Sequence, residues 1–166
     1  PVKGGAGADI KAGPSGFDKV RETARERQAP ETVRMPPEVT RVSAEQKRQL
    51  EAELRKKLDH TRATGARELF RADMKKARTA IQGLSNRIEA LPKTSAFEPL
   101  RTRFVAIEEK FRASGKLLDN VASLDNPREL LKVQVHMYQL TQNIEIVSKV
   151  VEQVNQGVKQ ILQTQV

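Results

Sequence analysis

Along most of the chain the apolar residues recur at alternating spacings of three and four, the period of a helix seam and not of a strand. The longest series starts at Leu130 and runs through Val133, Met137, Leu140, Ile144, Val147, Val151, Val154 and Val158 to Ile161 with no slip in register. Two shorter series precede it. Phe70, Met74, Ala77, Ile81, Leu84, Ile88 and Leu91 form one; Phe97, Leu100, Phe104, Ile107, Phe111, Ser114, Leu118 and Val121 form the other. Pro92 and the short stretch LPKTS separate these two, so they predict a hairpin over residues 66–122 whose arms fold back antiparallel. DNPRE then punctuates the chain and opens the last helix. Asp125 or Asn126 serves as N-cap, Pro127 takes the first helical position, and Glu129 sits near the positive end of the helix dipole.

Upstream of the hairpin the pattern weakens. Ser43 followed by Gln46 is a capping-box arrangement, so a helix is expected to start there. Its stripe of Leu50, Leu54 and Leu58 is narrow among many charges, and HTRATGARE with Gly65 interrupts it, which predicts a frayed or partner-dependent segment over residues 43–65. Ser95 with Glu98 offers a second capping box before the other hairpin arm. Residues 1–42 hold most of the prolines and glycines and show no sustained period, the composition of a flexible tail. The expected architecture is all-α: a disordered N-terminal tail (1–42), a helical region with a central hairpin (43–125), and a long C-terminal helix (126–166) that packs in an oligomeric assembly.

That last helix carries the functional expectation. From Pro127 to Gln165 it would span about 58 Å, more than a two-helix hairpin of this size can cover. A second row, Leu131, Val135, Tyr138, Ile146, Val150 and Leu162, widens its apolar face and implies more than one neighbour. Between Val133 and Val166 the only full charges are Glu145, Lys149, Glu152 and Lys159. Gln, Asn, Thr and Ser fill the other polar positions, and these are cheaper to bury in an interface than charges. Gly157, in mid-helix, suggests a close helix contact.

Composition narrows the alternatives. Hydrophobic residues make up 37% of the 166, aromatics 4%, and there is neither Trp nor Cys. A large aromatic core, disulfides and thiolate metal sites are thereby excluded, which favours helix-on-helix seams. There is no apolar run long enough for a membrane span, and PVKGGAGADIKAGPSG lacks the apolar core of a cleavable signal. The net charge of +9 is concentrated in residues 43–91, where 12 basic and 7 acidic groups interleave. RKK at 55–57 with Arg62, Arg67, Arg71, Lys75, Lys76 and Arg78 could bind nucleic acid weakly, but no aromatic platform accompanies them, so a solvated helix face is the simpler reading. His60 and His136 stand far apart without acidic or Cys clusters, and GGAGAD follows no strand. No catalytic, metal or cofactor site is predicted, no enzyme activity, no small-molecule substrate and no specific nucleic acid.

The segment NPRELLKVQVHMYQLTQNIEIVSKVVEQVNQGVKQILQTQV resembles the C-terminal region of the inner rod proteins of bacterial type III secretion injectisomes. The resemblance rests on Leu130 and Leu131 followed by Gln134, then Ser148, Lys149 and Val150, then Gln156, Gly157 and Val158, then Leu162 and Gln165. It implies a structural subunit between the export gate and the needle base, exported by the type III pathway into the periplasmic part of the channel. Its partners would be copies of itself, needle subunits and export-gate proteins. The assembly interface expected on this basis comprises Leu130, Leu131, Gln134, Met137, Leu140, Ile144, Val147, Lys149, Val150, Val151, Val154, Gly157, Val158, Ile161, Leu162 and Gln165. Flagellar basal-body proteins that join the export gate to the rod are similar in the same segment. A basic nucleic-acid-binding protein and a helix-binding adaptor are the other classes compatible with the pattern.

Overall fold

Ser43 and Gln46 form the reciprocal cap that their spacing predicts. The Gln46 amide donates to Ser43 Oγ (3.1 Å) and the Ser43 amide donates to Gln46 Oε1 (3.0 Å), so each residue satisfies a backbone donor of the other. The computed structural model describes residues 32–59, 63–120 and 126–164. They form α1 (Ala44–Asp59), α2 (Ala63–Glu89), a 3-10 turn (Ser95–Phe97), α3 (Glu98–Asn120) and α4 (Pro127–Thr164), with no strand among the described residues. The protein is all-α. The tail expected over residues 1–31 lies outside the described residues, as do residues 60–62 and 121–125 within the expected helical region.

The two shorter seams become α2 and α3. Phe70, Ala77, Ile81, Leu84, Ile88 and Leu91 are buried on one side, and Leu100, Phe104, Ile107, Ser114 and Leu118 on the other. Ser114, the polar member of its series, donates to the Lys110 carbonyl (2.9 Å) and enters the core with its hydroxyl satisfied. The turn between the arms differs from the expected second capping box. Thr94 precedes the 3-10 turn without a side-chain cap, and Glu98 instead meets Arg101 Nη1 at 3.3 Å. Tight backbone bonds, such as Phe97 N–H to the Thr94 carbonyl (3.2 Å), meet the need there. Arg101 also donates to the carbonyls of Leu91 (3.4 Å) and Pro92 (3.0 Å), placing a cation on the negative end of α2.

α4 touches α1, α2 and α3, whereas α1 and α3 do not touch each other. Asn126 is its N-cap, with Oδ1 accepting the Arg128 amide at 3.1 Å. α2 runs parallel to α4, as the Arg87–Glu152 contact near its far end shows (3.8 Å). α1 runs antiparallel to the first third of α4: Gln46 donates to the Tyr138 hydroxyl (3.2 Å), and Gln134 donates to Glu53 further along α1 (3.5 Å). Over Ala44–Asp59 the segment expected to fray is therefore a docked helix with Leu50 and Leu54 buried. Its narrow stripe suffices because the second apolar row of α4 faces it.

Residues 32–43 also depart from the tail reading. They form an extended strap over α3 and α4, with Val33 and Met35 packed against the core. The Val33 amide donates to the Ala96 carbonyl (3.0 Å), Arg103 donates to the Pro36 carbonyl (2.8 Å), and Lys110 pairs with Glu38. The strap carries no apolar period because it is held mainly by polar contacts to its backbone.

Burial ranks these positions. Leu140→Ala, at a fully covered site, is expected to lower unfolding free energy by about 2–5 kcal/mol in urea titrations. Ile161→Ala, at a side chain 60% exposed, is expected to change it by less than about 0.5 kcal/mol.

Candidate assembly surface

The apolar register of α4 outlasts its partners. At about 1.5 Å per residue the 38-residue helix is about 57 Å long, against about 40 Å for the 27 residues of α2. Because Glu152 lies level with Arg87, in the last helical turn of α2, α4 continues for the dozen residues 153–164, about 18 Å, beyond that contact.

The expected interface residues consequently divide into groups. Leu130, Gln134, Met137, Leu140, Ile144, Val147, Val150 and Val151 are buried within the single chain. Leu131 and Val154 are half-buried at the edge of the same core. For the eight buried ones the cover comes from within the chain, whereas Leu131 and Val154 keep part of their surface exposed. Lys149 is exposed. Gly157 and Val158 are half-exposed on the overhanging end, and Ile161 is the most exposed large apolar residue described. Leu162 lies in α4 and Gln165 lies outside the described residues. A Cβ built on Gly157 meets no atom within 4 Å, so the close contact suggested by this glycine is not one made inside the chain.

The uncharged polar face of α4 has a use that its composition only hinted at. Asn143 is 1% exposed, and its amide brackets the strap: Oδ1 accepts the Val39 amide (2.9 Å) while Nδ2 donates to the Val39 carbonyl (3.0 Å). The same Nδ2 donates to the Gln139 carbonyl (2.8 Å), and Gln139 donates to the Thr40 carbonyl (3.0 Å). An Asn side chain thus stands in for one rung of a β-ladder and fixes residues 39–40 without any apolar anchor. Asn143 directly precedes a seam residue, a place where a buried amide needs a partner, and this is the one signal in the sequence that could have located the contact.

Electrostatics on this surface are mild. The basic residues of α1 and α2 mostly face solvent; Arg55 pairs with Glu51 (3.2 Å), and the Arg78 guanidinium lies 5.8 Å from the Phe111 ring centre. His136 is exposed. Among the described residues no group of three or more His, Asp or Glu side chains is placed to hold a metal, and no helix is long and apolar enough to cross a membrane.

The family model described as "Type III secretion needle MxiH, YscF, SsaG, EprI, PscF, EscF" matches residues 44–164, from the first residue of α1 to the last of α4. The chain belongs to the type III secretion needle family. Neither a curated protein nor a solved structure matches it. Membership of the needle family makes the chain a structural component of a secretion apparatus and points away from an enzyme. The matched region leaves out the strap, so the contacts of Asn143 and Gln139 with residues 39–40 reach beyond the part covered by the family pattern.

Two outcomes test this division of α4. Asn143→Ala removes both bonds to Val39 and is expected to cost about 1–3 kcal/mol in urea unfolding. It should also speed tryptic cleavage after Arg34 and Arg41 in the strap. Gly157→Ala meets no atom in the chain and is expected to stabilise the isolated protein by up to about 1 kcal/mol in the same titration.

Proposed function

We propose that this needle-family protein is the inner rod subunit of a type III secretion needle complex, joining the export gate to the needle base around the secretion channel. The observation that supports this reading most is the end of α4. Its residues Gln156, Gly157, Val158 and Leu162 belong to the inner rod pattern, and the helix there continues beyond the end of α2, with Ile161 exposed. An uncovered apolar helix end is a cost to a free monomer and an asset to a subunit that gains neighbours.

In this reading the subunit travels through the type III pathway that it completes and lodges in the periplasmic part of the channel. Its partners are further copies, needle subunits and export-gate proteins. The needle subunit itself is the second reading, favoured by the wording of the family description. The body of the chain supports the rod: α1, the strap and the hairpin surround α4, which is more structure than the simple helical hairpin of a needle subunit.

The two readings separate by fractionation. Deleting the chain is expected to abolish both needles and substrate export while the membrane rings still form, and an epitope-tagged copy should stay with the rings when needles are sheared off. A tagged copy that dominates the sheared filaments would establish the needle subunit instead. Intact needles in the deletion strain would remove both readings.

A further inference from the structure

The strap fills its seat on α3 and α4 incompletely. None of residues 32–43 is fully buried, and Pro36 and Pro37 keep the segment extended by their own geometry. A cavity of about 580 Å³ remains between strap and helix, lined by Met35 and Glu38 on one side and by Thr102, Arg103 and Ala106 on the other. Arg103 is only half used there. Its Nη2 donates to the Pro36 carbonyl (2.8 Å), whereas its Nη1 is buried with no hydrogen-bond partner among the described residues. A buried guanidinium N–H without an acceptor is costly, and the strap does not supply one.

We propose that the strap is a place-holder: it leaves while the helices stay folded, and the groove it vacates binds an extended, acidic segment of another protein. The groove's own chemistry defines that ligand. Asn143 brackets the N–H and C=O of one residue and Gln139 donates to the next carbonyl, contacts that read main chain and exclude only proline at the bracketed position. Lys110 selects a carboxylate one residue earlier, where the strap carries Glu38. The free N–H of Arg103 takes a second carboxylate, at the position of Met35, where the cavity has room. Such a ligand satisfies the groove better than the strap does. Only four residues join Thr40 to the docked α1, at most about 14 Å of chain, so a strap shared between copies is tethered close to its own bundle. A segment of a separate protein has no such tether. The inference holds whether the chain is a rod or a needle subunit.

The full chain carrying Glu38→Lys and Val39→Pro opens the strap and leaves the groove intact, since one change repels Lys110 and the other removes the amide that Asn143 accepts. Circular dichroism checks the helices, and trypsin after Arg34 and Arg41 checks the opening. A fluorescein-labelled peptide of residues 32–42 is expected to bind the opened chain at least tenfold more tightly than the wild type, whose own strap competes. The same peptide with Met35→Glu should bind about tenfold more tightly again, and Arg103→Gln in the opened chain should remove that gain. Asn143→Ala should weaken both peptides about tenfold. An opened chain that binds neither peptide, or binds both equally with and without Asn143, overturns the proposal. So does a doubly substituted strap that resists trypsin as the wild type does. Wild-type dimers that vanish in the opened chain would give the groove to the strap of a second copy and overturn the choice of partner. Should the opened chain fail to fold, amide exchange in the wild type decides. Val33 and Val39 amides that exchange at least about a hundredfold faster than those of Val147 and Val151 support release from folded helices, and equal rates overturn it.

Discussion

An apolar stripe that keeps one register for ten positions must be covered along its whole length or leave a hydrophobic face in water. In α4 that stripe runs from Leu130 to Ile161, and every other element is placed by the need to cover it. The hairpin of α2 and α3 covers the a and d positions as far as Val151. α1 lies against Tyr138 and Gln134 on one side, and the strap lies against Asn143 and Gln139 on the other. Beyond Val154 the cover thins, because α2 and α3 turn at Pro92 while α4 continues. How much of α4 the chain covers by itself is therefore set by helix length.

The same constraint explains how the polar residues are used. Within the bundle, polar side chains at buried positions are tied down: Ser114 to a carbonyl of its own helix, Asn143 to both backbone groups of Val39. Charged residues stay at the surface, where pairs such as Arg55–Glu51 and Lys132–Glu129 contribute little to stability. Polarity in the core acts on position, since an amide that must meet Val39 fixes where the strap crosses α4 in a way that apolar contacts alone would not.

Helix placement was legible in the sequence wherever it depended on local chemistry. The 3–4 spacings located α2, α3 and α4, and the Ser43–Gln46 and Asn126 caps located the starts of α1 and α4 within a residue. What escaped was pairing at long range. The stripe of Leu50 and Leu54 looks too narrow for a stable helix until the second row of α4 is known to face it. The strap has no period at all, because its bonds run from side chains to backbone across about a hundred residues of sequence. The width of the α4 face did imply several neighbours, and for residues 130–151 those neighbours are in the same chain. Of the expected interface, Leu131, Val154, Gly157, Val158 and Ile161 keep some or most of their surface exposed, along with the charged Lys149.

α4 is covered by its own chain as far as about Val154, and in the proposed assembly other molecules cover the rest. Amide hydrogen exchange resolved along α4, in the isolated chain and in the assembled state, tests this most directly. Slow exchange is expected over residues 130–151 in both states, and over residues 155–164 rapid exchange in the isolated chain that slows on assembly. Rapid exchange across all of α4 in the isolated chain, or protection of residues 155–164 already equal to that of 130–151, would contradict this.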